Sequence, residues 1–125
     1  MQHELYKLAI ETKGNYVSVR ADGARNRATV TAMTMEIFDA ALTNHMSKVL
    51  VDVRGLKGRL GIMDSYVIVT ETFQKLRGKG LQKAAIVDER VPWLRDWFLE
   101  TVARNRQFNF RVFTSTEKAL EWLEL

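Results

Sequence analysis

The chain has 125 residues, of which 46% are hydrophobic and 27% charged, a composition and length typical of a folded protein with its own buried core. It contains no cysteine, which excludes disulfides, thiolate metal sites and cysteine nucleophiles. The formal net charge is +4, but the basic residues are scattered over different predicted elements. A scattered pattern favours a solvated basic surface over a nucleic-acid site, so we expect no nucleic-acid partner.

The predicted elements form one continuous pattern, which indicates a single domain over residues 1–125. No window approaches the roughly 18 apolar residues that a membrane span requires. The N-terminal residues lack the basic start and apolar core of a signal peptide. We therefore expect a cytoplasmic protein without a membrane span.

The chain begins with a predicted antiparallel hairpin. Residues 4–10 and 15–20 partly alternate between apolar and polar, and Lys13, Gly14 and Asn15 between them are turn residues. Asp22 and Gly23 are expected to end the second strand. Apolar residues then recur at three- and four-residue steps over 30–45, which predicts an amphipathic helix.

Three apolar stretches at 49–53, 84–87 and 109–113 have the character of strands buried on both faces of a parallel sheet. A helical pattern follows each of them, over 61–77, 92–105 and 115–124. Alternating strands and helices predict an α/β fold, with a mostly parallel sheet and the N-terminal β-hairpin at one side.

This order of elements resembles the SpoIIAA-like superfamily, the STAS fold of bacterial anti-sigma factor antagonists. The resemblance covers essentially the whole chain and is strongest in "GIMDSYVIVTE", residues 61–71, and in "FLETVARNRQFNFRVFTSTEKALEWL", residues 98–123. It looks closer to an uncharacterised bacterial branch with the same fold. The resemblance implies a STAS-like, non-enzymatic domain whose relatives bind proteins or lipids.

In the anti-sigma factor antagonists, a partner kinase phosphorylates the serine of an Asp-Ser pair that follows the central strand. Asp64 and Ser65 invite this comparison, but twelve residues separate Asp52 from Asp64, several more than in the antagonists. The small residues that usually follow the serine are replaced by Tyr66 and Val67. Ser65 is also an ordinary residue for the start of a helix, and we predict that it is not a phosphosite.

The predicted helix over 61–77 is apolar around most of its circumference. Its core face is expected to hold five apolar residues, Ile62, Tyr66, Val69, Phe73 and Leu76. Met63, Val67 and Ile68 lie off that face and need a second surface to bury them. The candidates are a homodimer interface and another element of the same chain, and of the two we expect the homodimer, because symmetric dimers are the commonest oligomers.

A glycine-rich basic stretch, residues 54–61, follows the central strand and is predicted to be a loop at the carboxyl edge of the sheet. Open α/β folds usually bind ligands at this edge. Arg54, Lys57, Gly58 and Arg59 are therefore candidate ligands for a phosphate or carboxylate. The stretch matches neither common phosphate-binding glycine motif, and a solvated connection is the simpler explanation of it.

Trp93 and Trp97 share one stripe of the predicted 92–105 helix. Pockets for small molecules are usually apolar and aromatic with few polar groups, so these residues are candidate ligand contacts. The alternative function to protein binding is accordingly a carrier or sensor of a small apolar or amphipathic anion, such as a lipid. Packing in the core is the simpler role for aromatic residues at helical spacing.

The chain offers little for catalysis. Its two histidines, His3 and His45, belong to no nucleophile or metal-ligand motif. Asp52 and Asp88 both fall near carboxyl ends of predicted parallel strands, where they are a candidate acid–base pair or caps of the following loops. We expect no enzyme activity, no catalytic residue, no metal site and no cofactor.

Overall fold

A computed structural model of the chain describes residues 5–72, 79–89 and 109–124. The strands are β1 (Tyr6–Lys13), β2 (Tyr16–Ala24), β3 (Lys48–Lys57), β4 (Lys83–Val87) and β5 (Phe110–Phe113). The helices are α1 (Arg27–Thr43), α2 (Ile62–Val67) and α3 (Thr116–Glu124), and a π-helical segment, Ile68–Thr72, continues α2. The predicted helix over 92–105, with Trp93 and Trp97, lies outside the described residues.

The five described strands form one sheet in the order β1-β2-β3-β4-β5. β1 pairs with β2 in antiparallel fashion, and every later pair of neighbours is parallel. This confirms the predicted mostly parallel sheet with the hairpin at one side. The three apolar strands β3, β4 and β5 are neighbours in this sheet, and their apolar character fits a sheet that is covered on both faces.

The sheet is packed on both faces. On one face, Val17, Val19, Val49 and Val51 pack with Ala41 of α1. On the other face, Leu50, Ala85 and Val87 pack with Ala119 and Leu123 of α3. Alternate residues of β3 therefore belong to two different core clusters, as the pleat of a strand requires. None of the described helices has the length and apolar character needed to cross a membrane.

β2 continues beyond the point where Asp22 and Gly23 were expected to end it. Gly23 pairs with Tyr6 inside the hairpin and has a φ of +125°. A Cβ atom there would lie 2.5 Å from the carbonyl oxygen of Leu5, so only glycine allows the two strands to approach this closely. The strand-end prediction is wrong because a glycine that breaks a strand and one that allows close backbone approach look alike in sequence.

β3 is also longer than predicted, since it runs through Lys57 and includes the first part of the expected loop. The ladder between β2 and β3 is irregular here: Arg20 pairs with Asp52, whereas Asp22 pairs with Gly55. β3 therefore has one more residue than β2 in this interval, which is a β-bulge. Arg54 and Lys57 belong to a strand, and the connection to α2 is reduced to residues 58–61.

Candidate functional site

The carboxyl ends of β2, β3 and β4 meet at one edge of the sheet because these strands are parallel. Arg25 directly follows β2, Arg54 lies in the last part of β3, and Asp88 directly follows β4. The connection after β3 adds Arg59. Four charged residues from four places in the sequence are thus brought to the same edge.

Asp88 is the centre of this cluster. Its carboxylate accepts hydrogen bonds from Arg25 Nη1 at 3.0 Å, from Arg59 Nη1 at 2.7 Å and from the backbone N–H of Glu89 at 2.7 Å. A longer contact of 3.5 Å joins Arg59 Nη2 to the second carboxylate oxygen. The backbone N–H of Asp88 donates to Phe113 O of β5, which fixes the residue against the sheet. Two guanidinium groups therefore share one firmly held carboxylate.

The two arginines differ in how deeply they lie. The side chains of Asp88 and Arg25 are only 8% and 11% exposed, whereas that of Arg59 is 33% exposed. Arg25 is also tied to β3, since its Nη2 donates to Val53 O at 3.2 Å and its backbone N–H donates to Lys57 O. Arg25 is the inner partner of Asp88, and Arg59 is the outer one.

The pKa of Asp88 is set by opposing effects. Burial alone raises the pKa of its carboxyl, because the charged form loses solvation. The hydrogen bond and charge of Arg25, with smaller contributions from the Glu89 N–H and Arg59, outweigh burial and bring the pKa below its usual value. Asp88 is consequently a carboxylate at neutral pH and carries no proton to donate.

A second ion pair stands beside the first. Arg54 binds Asp52 with two side-chain contacts, Nε to Oδ1 at 3.0 Å and Nη2 to Oδ2 at 2.8 Å. This pairing lowers the pKa of Asp52, with the side-chain hydrogen bond as the largest cause. Asp52 and Asp88 were considered as an acid–base pair, but each is bound to its own arginine. Both are suited to hold charge in place and poorly suited to exchange protons.

Between these groups lies a cleft of about 190 Å³. Its walls combine five charged residues with an apolar side chain and a glycine: Arg25, Arg54, Arg59, Asp88, Glu89, Leu56 and Gly58. Three of the four predicted anion ligands, Arg54, Gly58 and Arg59, do line this cleft. Lys57 does not, although it lies at the same edge of the sheet.

Arg25 and Glu89 were missed by the sequence interpretation, and Asp88 was assigned a different role. The sequence could have pointed to Arg25, because this residue follows a strand whose carboxyl end lies at the edge of the sheet where α/β folds usually bind ligands. It was overlooked because β2 was expected to end before Gly23. No cluster of three or more metal-ligating side chains occurs in the part of the chain that the structure describes.

The apolar residues of α2 and of the segment after it differ in burial from what the helical pattern predicted. Met63 is 70% exposed and Tyr66 is 36% exposed, whereas Ile68 is only 4% exposed. Tyr66 was expected in the core and Ile68 on the outer surface, so these two assignments are reversed. Ile68 begins a π-helical segment that packs against α1, in agreement with its burial, whereas Tyr66 precedes this change and lies in regular α2.

The outer surface of α2 therefore holds Met63 and Tyr66, with Val67 half-buried beside them. Met63 lies three residues before Tyr66 and four before Val67, a spacing that puts them on one side of a helix. Ser65 is half-buried and is the fourth residue of α2, whose N-cap is Gly61. Its backbone N–H donates to Gly61 O, so Ser65 does not itself cap the helix.

The chain matches no protein-family model and no curated protein. It is similar to several solved structures, among them an anti-sigma factor antagonist from Mycobacterium paratuberculosis. That alignment has a TM-score of 0.62 at 16% identity and covers 96% of this chain and 95% of the other. An uncharacterised protein of the DUF3478 family from Shewanella loihica, with a SpoIIAA-like fold, aligns with a TM-score of 0.56 at 21% identity over 94% and 93% of the two chains.

The chain has a SpoIIAA-like fold. The phosphorylated form of SpoIIAA, the Bacillus cell fate determinant, aligns with a TM-score of 0.50 at 14% identity, over 92% of this chain and 97% of that one. The resemblance stated from the sequence is thus confirmed at the level of the fold. At such identities the likeness concerns architecture, and the function of this SpoIIAA-like chain must be argued from its own surface.

Proposed function

We propose that this SpoIIAA-like chain is a non-enzymatic regulatory domain that acts by binding another protein. The observation that carries the proposal is the exposed apolar stripe of α2, formed by Met63, Tyr66 and Val67. An apolar side chain left in water forgoes roughly 1.5 to 3 kcal/mol relative to full burial. Large apolar groups grouped on one side of a helix are typical of a surface that is covered by a partner.

The chemistry at the sheet edge supports a role in binding. Asp52 and Asp88 are both held as carboxylates by arginines, which leaves them without a function as proton carriers. His45 is exposed at the end of α1, with none of the described residues arranged as a nucleophile or metal ligand beside it. A SpoIIAA-like fold is compatible with such a role, since one of the similar structures is an anti-sigma factor antagonist.

The neighbouring charges favour an acidic protein as the partner. Lys57 and Arg59 precede α2 directly in the chain, and Lys57 is exposed and makes no ion pair with the described residues. Carboxylates at the rim of a partner's surface would complement these cations, and such complementarity gives specificity.

A second copy of the chain is nevertheless the alternative occupant of this stripe. Ile68 is buried within the chain, so it no longer supports a dimer across α2. Met63 and Val67 remain available, and Tyr66 joins them. The two occupants differ in a simple observable, because a second copy gives a dimer of the pure protein and another protein does not.

The test expresses the full chain with an affinity tag in its native cells, as wild type and as two variants. The chain is then purified together with the proteins bound to it. Met63→Asp introduces a charge into the stripe. Ile10→Asp is the matched control, since Ile10 is an exposed apolar residue on β1, in a different part of the sheet. We expect a stoichiometric acidic protein to accompany the wild type and Ile10→Asp, and to be lost with Met63→Asp.

Sedimentation equilibrium of the purified proteins completes the experiment. A wild-type dimer that becomes a folded monomer in Met63→Asp would show that the stripe binds a second copy of the chain rather than another protein. Recovery of the same proteins with the wild type and with Met63→Asp, and a monomeric wild type, would overturn the binding role of the stripe.

A further inference from the structure

The cleft at the sheet edge is a separate feature from the α2 stripe, and its charges are not all used within the chain. Arg25 is paired with Asp88, and Arg54 is paired with Asp52. Arg25 and Arg59 share the Asp88 carboxylate, so the lining holds three arginines against the carboxylates of Asp88 and Glu89. An arginine that shares its carboxylate with a second arginine beside a cavity is a natural site for an anion.

Arg59 is also the group that can move. Asp88 would keep Arg25 at 3.0 Å and the Glu89 N–H at 2.7 Å if Arg59 turned away. The buried carboxylate would therefore stay paired and hydrogen-bonded. A guanidinium has five N–H donors, and Arg59 directs its Nη1 and Nη2 groups at Asp88. Exchanging Asp88 for an incoming oxyanion thus leaves no buried charge unpaired.

The size of the cleft limits the ligand. A volume of about 190 Å³ corresponds to roughly six water molecules at about 30 Å³ each. Pockets for drug-sized ligands and cofactors usually measure about 300 to 1,000 Å³. A phosphate or a short carboxylate group fits the cleft as the described residues form it, whereas a lipid chain or a dinucleotide does not.

From these three observations we infer that the cleft binds a small oxyanion, with Arg59 as its ligand and with Arg54 and Arg25, held by Asp52 and Asp88, as fixed positive charges beside it. The shared chemistry is a tetrahedral or planar oxyanion that a guanidinium fork recognises through two parallel hydrogen bonds. The two proposals share Arg59 but not the α2 stripe, so Met63→Asp should remove protein binding and leave oxyanion binding unchanged.

One residue of the cleft opposes the anion. Glu89 is exposed at the rim, and its carboxylate repels a negative ligand through solvent. Removing that charge should tighten binding, an effect that a purely structural role of the cluster would not produce. Glu89 therefore supplies the sharpest test of the inference.

The experiment titrates the full ¹⁵N-labelled chain with inorganic phosphate, and separately with acetate, against sodium chloride at equal ionic strength. Saturable shifts of the Gly58, Arg59 and Glu89 amide signals are expected with at least one oxyanion. Phosphate alone would indicate a phosphoryl group as the natural ligand, and acetate alone or both would indicate a carboxylate. Shifts that do not saturate with either anion would overturn the proposal.

Three variants with matched charge changes make the assignment specific. Arg59→Gln should weaken binding about tenfold, the effect of losing charge-assisted hydrogen bonds. Glu89→Gln should tighten binding about twofold to threefold through the lost repulsion. Lys13→Gln removes an exposed cation at the opposite end of the sheet and should leave binding unchanged.

Arg59→Lys covers the case in which Arg59→Gln disturbs the fold. Lysine keeps the charge but lacks the fork, so binding should fall between that of the wild type and Arg59→Gln. Equal affinities in Arg59→Gln and Lys13→Gln would show that the anion binds elsewhere. Weaker binding in Glu89→Gln would contradict the proposed position of the anion.

Discussion

Asp88→Asn is the substitution that tests most directly how the sheet edge is held together. Asparagine has nearly the same shape as aspartate but has no charge and offers one acceptor oxygen instead of two. Arg25 would keep its buried position and lose the carboxylate of Asp88, the only one with which it pairs among the described residues. Arg59 would lose the same partner but can turn towards water.

The magnitude follows from the burial of the two arginines. Removing one member of a buried ion pair costs about 3 to 5 kcal/mol, because the remaining charge is left uncompensated. Arg59 is one-third exposed, so its part of the loss is discounted for solvent screening. We expect Asp88→Asn to lower the free energy of unfolding by about 3 kcal/mol, which corresponds to a decrease in Tm of about 10 °C.

The two arginines should not be equivalent in the same assay. Arg25→Gln leaves the buried Asp88 carboxylate with only the outer guanidinium, and it also removes the donor to Val53 O. Arg59→Gln leaves Asp88 paired with Arg25. We expect a loss of about 2 to 3 kcal/mol for Arg25→Gln and no more than about 1 kcal/mol for Arg59→Gln.

The dependence on pH gives an independent check. The pKa of Asp88 is lowered in the folded protein, so its contribution to stability is complete above the pKa of about 3.9 of an unfolded aspartate. That contribution is lost as the pH falls through the lower folded pKa. Wild type and Asp88→Asn should therefore differ fully at neutral pH, and their difference should shrink as the pH falls below the pKa of an unfolded aspartate.

Urea denaturation followed by circular dichroism measures all of these quantities. The reasoning is refuted if Asp88→Asn costs less than about 1 kcal/mol at neutral pH, or if Arg59→Gln costs as much as Arg25→Gln. A difference between wild type and Asp88→Asn that does not shrink as the pH is lowered through the acid range would show that charge is not the cause.

Two further substitutions test the hairpin and the helix. Gly23→Ala should destabilise the fold by about 2 kcal/mol or more in urea denaturation, since it adds a clash with Leu5 O to an unfavourable φ of +125°. Gly14→Ala, with a φ of +51° and no atom within 4 Å of the added Cβ, should cost only about 1 kcal/mol, and equal losses would contradict the role of the close approach. Ser65→Asp should change the free energy of unfolding by less than about 1 kcal/mol and leave partner binding intact, because Ser65 lies within α2 rather than at its N-cap. Stoichiometric phosphorylation of Ser65 by a kinase of the same cells, with loss of a bound partner, would show that Ser65 is a switch after all.

Much of the architecture follows from local patterns in the sequence. The apolar stretches at 49–53, 84–87 and 109–113 indicated strands buried on both faces, and the structure pairs all three as parallel neighbours. Gly14 between two alternating stretches indicated the hairpin. These features are predictable because the side-chain period of a strand or helix is set by its own backbone and needs no distant contact.

The candidate site required the tertiary structure. Arg25 and Asp88 are 63 residues apart in sequence, and Arg59 and Asp88 are 29 apart. Nothing local relates them, and they meet only because β2, β3 and β4 are parallel neighbours whose carboxyl ends share one edge. The bulge in β3 that keeps Arg54 within a strand is likewise a property of the pairing with β2.

Tyr66 and Ile68 also show what the sequence determines and what the tertiary structure decides. A helical pattern assigned Tyr66 to the core and Ile68 to the surface on the assumption of uniform α winding. In the structure Ile68 begins a π-helical segment that packs against α1, a tertiary contact that the helical pattern does not contain. Sequence periodicity determines which residues can share a face, whereas the neighbours packed against an element decide where that face begins and which residues it buries.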